Sequence, residues 1–161
     1  MELRKNMVAA DFGSGSGGWV LPLARRLTEG KVYAIDVLPE ALSVLESRSR
    51  SEKLFNIQIV CSNLESKRGS TLHPNSVDLV LMTNLLFEVD DKKRVIEEGK
   101  RVLKKGGNLL VVDWKTEASV GPENGRISAK DVKEIAEDLD LKLEKEFDAG
   151  SYHYGLVFIK P

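Results

Sequence analysis

The chain carries the sequence Asp11-Phe12-Gly13-Ser14-Gly15-Ser16-Gly17-Gly18 between a short apolar run and a segment with helical periodicity. The run at 7–12 is typical of a buried strand, and apolar residues recur with helical spacing over 19–29. Glycines at a strand-to-helix turn let the backbone turn sharply and approach a ligand without a Cβ in the way. The first N–H groups of the helix are free to bind a carboxylate or phosphate. We therefore predict a ligand-binding loop here.

Strand-like and helix-like segments alternate along the rest of the chain. Further strands are predicted at 31–36, 56–62, 76–83, 108–114, 141–148 and 152–160, and further helices at 39–50, 91–104 and 128–139. The helix at 91–104 is expected to stop at Gly106-Gly107. Such alternation predicts an α/β fold with a mostly parallel, seven-stranded sheet, built from five β-α units plus a closing antiparallel strand. The short Ala149-Gly150-Ser151 connection forces a closing antiparallel hairpin strand.

Length and composition limit the class of protein. A chain of 161 residues predicts a single domain over 1–161. Its 42% hydrophobic and 30% charged residues are typical of a globular protein rather than a disordered one. The 24 basic and 25 acidic residues argue against nucleic acid as a partner, since such binding needs clustered positive charge.

The single cysteine, Cys61, excludes an internal disulfide and a multi-thiolate metal site, and its strand context predicts a small buried hydrophobe. We assign no metal. No apolar run approaches the roughly 18–20 residues that cross a bilayer. The start of the chain has no apolar secretion segment, so we expect no membrane span and a cytoplasmic location.

The glycine loop by itself leaves two ligands open. Glycines 13, 15 and 18 also fit the dinucleotide fingerprint, and Asp36 ends the second strand where an acid binds a ribose diol. An NAD-dependent oxidoreductase and an S-adenosylmethionine enzyme both need such an acid. Asp11 favours the second, because a carboxylate can hold a cationic amino group, directly or through water, and repels a pyrophosphate.

These residues resemble those of the class I S-adenosylmethionine-dependent methyltransferases, in the group that includes the ubiquinone/menaquinone C-methyltransferases. The resemblance rests on the loop from Asp11, on Asp36, and on Arg101-Val102-Leu103-Lys104-Lys105-Gly106-Gly107. It implies a Rossmann-like doubly wound fold, with S-adenosylmethionine as cofactor and S-adenosylhomocysteine as product. The cofactor-binding residues that it implies are Asp11, Gly13, Ser14, Gly15, Gly17, Asp36, Val37, Asn63, Leu64 and Asn84.

The resemblance implies methyl transfer by in-line displacement to a small-molecule or protein acceptor. A non-catalytic cofactor-binding subunit is the other alternative. Because alignment supplies most of the acceleration of such a displacement, a dedicated base is not obligatory and we assign no catalytic residue. Glu88, Asp113 and His153 are the candidates for a base or an orienting group.

The chain departs from the family at two places. Asn63 stands where relatives often carry an aspartate beside the adenine. Relatives usually begin with further helices that cap the site, whereas the glycine loop here starts within the first twenty residues, so we expect no N-terminal cap. The loop over 115–127, or a second subunit in a homodimer, is then expected to close the acceptor side.

Overall fold

The structure, a computed structural model, describes residues 1–161. Its strands are β1 Val8–Phe12, β2 Lys31–Asp36, β3 Ile57–Cys61, β4 Val77–Thr83, β5 Leu103–Trp114, β6 Lys142–Ala149 and β7 His153–Ile159. Its helices are α1 Val20–Arg26, α2 Pro39–Ser51, α3 Lys92–Val102 and α4 Ala129–Asp138. None of these helices has the length and apolar character that crossing a membrane requires. Each predicted strand and helix is present.

The seven strands form one sheet in the order β3-β2-β1-β4-β5-β7-β6. Strands β1 to β5 run parallel, and β7 lies antiparallel between β5 and β6. The predicted doubly wound α/β fold with an antiparallel hairpin strand is therefore confirmed. The direction of winding reverses between β1 and β4, and open α/β sheets bind ligands at the carboxyl ends of the strands at such a point.

Two hydrophobic clusters cover the two faces of the sheet. One packs α3 and α4 against the sheet, and the other packs α1 and α2. Successive residues of β4 alternate between them: Val80 and Met82 belong to the first, and Leu79 and Leu81 to the second. Because both faces are buried at the centre, this strand is a continuous apolar run rather than an alternating pattern.

The expectation of five β-α units is wrong for the connection from β3 to β4. This connection, 62–76, is irregular and contains no helix. Glu98 of α3, with 1% of its surface exposed, anchors it by accepting from the N–H (2.8 Å) and Oγ (2.6 Å) of Ser70. The guanidinium of Arg101 also donates to both carboxylate oxygens of Glu98, at 2.7 and 2.8 Å. Burial alone raises the pKa of Glu98, but the hydrogen bonds from Arg101 and Ser70 outweigh it, and the pKa is lowered.

Two local predictions are also corrected. Gly106 and Gly107 do not stop α3, because β5 already begins at Leu103; the N–H of Gly106 donates to the carbonyl of Lys160, and that of Lys160 to Gly107. Cys61 is exposed rather than buried, because β3 is an edge strand of the sheet.

Replacing Glu98 tests how much this anchor stabilises the fold. Glu98→Ala leaves the N–H of Ser70 and the partly exposed Arg101 guanidinium without their acceptor, so we expect the free energy of unfolding to fall by about 2–3 kcal/mol in urea denaturation. The control is Glu97→Ala, which removes an exposed partner of Arg94 and should cost about 0–1 kcal/mol. Similar losses in the two variants would contradict the assignment.

Candidate active site

A cavity of about 520 Å³ opens at the carboxyl ends of β1 to β4, where the winding of the sheet reverses. Seven of the ten residues predicted to bind the cofactor line it: Gly13, Gly15, Asp36, Val37, Asn63, Leu64 and Asn84. They come from four separate connections between elements. The volume lies in the range of ligand and cofactor pockets.

The other three predicted residues lie outside this lining. Asp11 and Ser14 are buried, with 1% and 6% of their surfaces exposed. Gly17, at φ +100°, packs against Leu45 of α2 so closely that a Cβ would collide with that side chain. The structure therefore places Gly17 where the loop contacts the helix.

Asp36 determines the path of the glycine loop. Its Oδ2 accepts from the backbone N–H of Gly15 at 2.8 Å, and its Oδ1 accepts from that of Leu38 at 3.0 Å. Gly13, at φ +74°, adopts a conformation that L side chains rarely take, and a Cβ there would lie 2.8 Å from Leu85 Cδ1. The loop thus needs glycine where it passes closest to the β4–α3 connection.

Asp11 is a buried carboxyl group beneath this loop. Its Oδ1 has no hydrogen-bond partner. Burial, and secondarily the charge of Asp36, raises the pKa of Asp11 to about 7. A buried carboxylate without a partner is costly, and a cationic ligand group would relieve that cost. Asp11 therefore fits a ligand that carries an ammonium group.

The cavity rim also has an apolar part. Val37 and Leu38 have 58% and 56% of their surfaces exposed and line the cavity after β2. Exposed apolar side chains beside a strand-end acid suit a flat ring attached to a ribose. Asn63 is bound locally, since its Oδ1 accepts from the N–H of Glu65 at 2.9 Å.

The sequence interpretation missed part of the lining. Glu65 lines the cavity, and its Oε1 accepts from the N–H groups of Asp90 and Asp91 at 2.9 and 2.7 Å. It thereby ties the connection after β3 to the start of α3. Further lining residues outside the predicted set are Leu38, Ser62, Thr83, Leu85, Glu88 and Val89. Glu88 is one of the candidates for an orienting group, and the others are distinguished in the sequence only by lying at or shortly after a strand end.

The three candidates for an orienting group lie in different surroundings. Glu88 lines the cavity. Asp113 is fully buried and accepts from the N–H of Leu86 at 2.9 Å and of Trp114 at 2.8 Å. Burial raises the pKa of Asp113, although these backbone hydrogen bonds act against it. Asp113 thus holds the β4–α3 connection in place without reaching the cavity.

His153 lies outside the cavity lining and stacks on Trp114, with ring centroids 4.1 Å apart. Its Nε2 is buried and has no hydrogen-bond partner. The ring pair belongs to the β5–β7 side of the sheet, where the register places Trp114 opposite His153.

The loop at 115–127 does not line the cavity, contrary to its expected role as a lid. Arg126 folds this loop onto itself. Its guanidinium donates to carbonyl oxygens of Lys115, Thr116, Ala118, Val120 and Pro122, at 2.6 to 3.3 Å. The loop is thus organised beside the site rather than over it.

This combination of features defines a class of protein. A sheet with β7 inserted antiparallel between β5 and β6, a glycine loop after β1 and an acid at the end of β2 are the features of the class I S-adenosylmethionine-dependent methyltransferases. The family model described as "Methyltransferase domain" matches residues 10–111. The chain belongs to this family, whose methyl donor is S-adenosylmethionine.

Individual relatives agree with this assignment. The chain is 32% identical over 114 residues to the demethylmenaquinone methyltransferase of Geobacillus stearothermophilus, covering 70% of this chain and 47% of the relative. It is 30% identical over 114 residues to a ubiquinone/menaquinone biosynthesis C-methyltransferase of Hydrogenovibrio crunogenus, covering 70% and 44%. The chain thus spans about half the length of these curated relatives.

Among solved structures, a methyltransferase from Aquifex aeolicus that depends on S-adenosylmethionine superposes with a TM-score of 0.89 at 28% identity. The match covers 99% of this chain and 85% of that one. The whole chain, including the C-terminal hairpin, therefore follows the fold of that protein.

The raised pKa of Asp11 predicts how ligand affinity depends on pH. S-adenosylhomocysteine carries the ammonium group that Asp11 fits, and only the ionised carboxyl attracts it. Below a pKa of about 7 the carboxyl must first lose its proton. We expect the affinity, measured by isothermal titration calorimetry, to rise with pH, by at most about tenfold per pH unit, up to about pH 7 and to level off above it.

The control is Asp11→Asn, which has the same shape and no titrating group. Its affinity for S-adenosylhomocysteine should be weaker and nearly independent of pH over the same range. A wild-type profile without this slope, or the same slope in Asp11→Asn, would assign the titration to another group.

Proposed function

We propose that this protein transfers a methyl group from S-adenosylmethionine to a small-molecule or protein acceptor. The observation that carries the proposal is the pair of carboxylates about the glycine loop, with unpartnered Asp11 beneath it and Asp36 at the cavity rim. A zwitterionic amino acid linked to a nucleoside needs both a partner for its ammonium group and an acceptor for its ribose diol. Family membership supports the same activity. S-adenosylmethionine supplies a methyl group activated by a positively charged sulfur.

We assign the ribose to Asp36 and the adenine to Val37, Asn63 and Leu64, all of which line the cavity. We assign the amino-acid part of S-adenosylmethionine to Asp11 and to the loop that follows it. The loop residues are Gly13, Ser14, Gly15 and Gly17, and Asn84 follows β4, the strand that pairs with β1. Asn84 is held at φ +51° after β4, with its N–H donating to Val112 at 2.8 Å.

Alignment is the main contribution that these residues make to catalysis. The cavity is bounded by four connections whose backbones are fixed by hydrogen bonds to Asp36, Glu65 and Asp113. A rigid site holds two reactants at attack distance, which replaces a bimolecular encounter by a nearly intramolecular one. No general base is needed for an acceptor that is already nucleophilic.

The alternatives weighed from the sequence are less well supported. A pyrophosphate bound at this loop would face the charge of ionised Asp11, which opposes an NAD-dependent oxidoreductase. A non-catalytic cofactor-binding subunit has the same cavity, and detection of a methylated product by mass spectrometry separates it from an enzyme.

We also infer a single domain over 1–161, working in the cytoplasm without a nucleic-acid partner. The single domain is supported by one sheet that is shared by both hydrophobic clusters. The balance of 24 basic and 25 acidic residues supports the absence of a nucleic-acid partner.

A homodimer is part of the same proposal. On the face covered by α1 and α2, the buried cluster includes no residue of β5, β6 or β7. Leu110 and Val112 are therefore only half-buried on that face of β5, and a second copy would bury them. Light scattering should give twice the mass of one chain at working concentration, and a strict monomer would contradict the dimer.

A thermal-shift comparison tests the proposed cofactor. S-adenosylmethionine and S-adenosylhomocysteine at about 100 times their Kd should stabilise the protein by about 2.7 kcal/mol, and NAD should not. Asp36→Ala should abolish this stabilisation, because it removes both the proposed ribose partner and the anchor of Gly15.

The matched control is Asp78→Ala, which removes a carboxylate bound to Lys104 and to the N–H of Val8, outside this cavity. We expect Asp78→Ala to be less stable than the wild type but to keep the shift caused by S-adenosylhomocysteine. An unchanged shift in Asp36→Ala would refute the assigned role of Asp36.

A further inference from the structure

The charge of the cavity is not balanced by residues of the chain. Its lining includes the carboxylates of Asp36, Glu65 and Glu88 and contains no lysine, arginine or histidine. Asp36 and Glu65 each accept two backbone N–H groups. The carboxylate of Glu88 has neither a hydrogen bond nor an ion pair, so it is the lining carboxylate whose charge no group of the chain offsets.

The buried Asp113 helps to fix the segment of chain that carries Glu88. Asp113 accepts from the N–H of Leu86 at 2.9 Å, and Leu86 is itself fully buried. The N–H of Glu88 donates to the carbonyl of Leu85 at 3.0 Å, which closes a turn at this point. The segment that carries Glu88 is therefore fixed by the buried side chain of Leu86 and by backbone hydrogen bonds.

The cations that follow in the sequence do not neutralise Glu88. Lys92 donates to the carbonyl of Val89 at 2.8 Å. Lys93 pairs with Asp138 of α4, and Arg94 pairs with Glu97 of α3. Each of the three is engaged with a group other than Glu88.

The pKa of Glu88 agrees with an excess of negative charge in the cavity. Burial raises this pKa first, and the negative charges of Asp36 and Asp113 raise it further. A positive charge placed in the cavity would relieve that repulsion. S-adenosylmethionine has a positively charged sulfur, whereas S-adenosylhomocysteine has a neutral one and otherwise differs by a single methyl group.

We propose that Glu88 makes the cavity select the cationic methyl donor over its neutral product. The inference rests on the proposed function, because it concerns the ligand of the same cavity. The positively charged sulfur of S-adenosylmethionine is attracted to the carboxylate of Glu88 before methyl transfer. The attraction is lost after transfer, because the sulfur of S-adenosylhomocysteine is neutral. Glu88 thus weakens product binding relative to donor binding and favours exchange of product for donor.

The test compares two ligands in three proteins by isothermal titration calorimetry at low ionic strength. In Glu88→Gln, we expect the Kd of S-adenosylmethionine to rise about five- to tenfold and that of S-adenosylhomocysteine to change by less than about twofold. The control Glu97→Gln makes the same chemical change on α3, at a residue outside the cavity lining. It should leave both Kd values unchanged.

A third ligand separates charge from methyl contacts. In sinefungin a carbon that bears an amino group replaces the methylated sulfur, so the ligand is cationic without a methyl group to transfer. It should lose affinity in Glu88→Gln as S-adenosylmethionine does. The preference of the wild type for both cationic ligands should shrink as salt is raised, because salt screens accessible charges.

The outcomes separate this inference from the proposed function. If the Kd values of all three ligands rise by the same factor in Glu88→Gln, Glu88 shapes the cavity and does not recognise the charge of the ligand, which overturns the inference. An unchanged ratio of the Kd values for donor and product would overturn it as well, with the proposed function intact. A wild-type protein that binds neither S-adenosylmethionine nor S-adenosylhomocysteine would overturn the proposed function and the inference together.

Discussion

The carboxylate of Asp36 joins the ends of two neighbouring parallel strands, and the site depends on this interaction. One oxygen accepts from Gly15 in the loop after β1, and the other accepts from Leu38 after β2. The carboxylate therefore determines where the loop leaves the sheet and where the exposed Val37 and Leu38 stand. Since the same group lines the cavity, the shape of the loop and the recognition of a ligand are coupled through one side chain.

Two buried carboxylates show how burial serves either structure or function. Glu98 is surrounded by donors from Ser70 and Arg101, and its pKa is lowered despite burial. Asp11 has an unpartnered oxygen, and burial raises its pKa to about 7. A satisfied buried charge stabilises a connection, whereas an unsatisfied one is retained at a cost that a ligand can offset. The contrast supports the proposed role of Asp11 as a partner for a cationic ligand group.

Two side chains organise the connections on either side of the site. Asp113 binds the backbone of the β4–α3 connection, and Arg126 binds five carbonyl groups of the loop at 115–127. Both act on backbone groups that secondary structure leaves without partners. Ordered connections of this kind hold the residues of a site in place.

Local sequence determined the strands, the helices and the glycine loop, because apolar periodicity and turn chemistry act over a few residues. The resemblance of those segments to the methyltransferase family implied seven of the residues that line the cavity. Tertiary structure alone decided that the β3–β4 connection needs no helix, that Asp113 supports a loop and that Glu65 and Glu88 face the cavity. Each of these depends on a partner more than twenty residues away or on the meeting of several strand ends. Such meetings arise from the order of strands in the sheet, which no local pattern encodes.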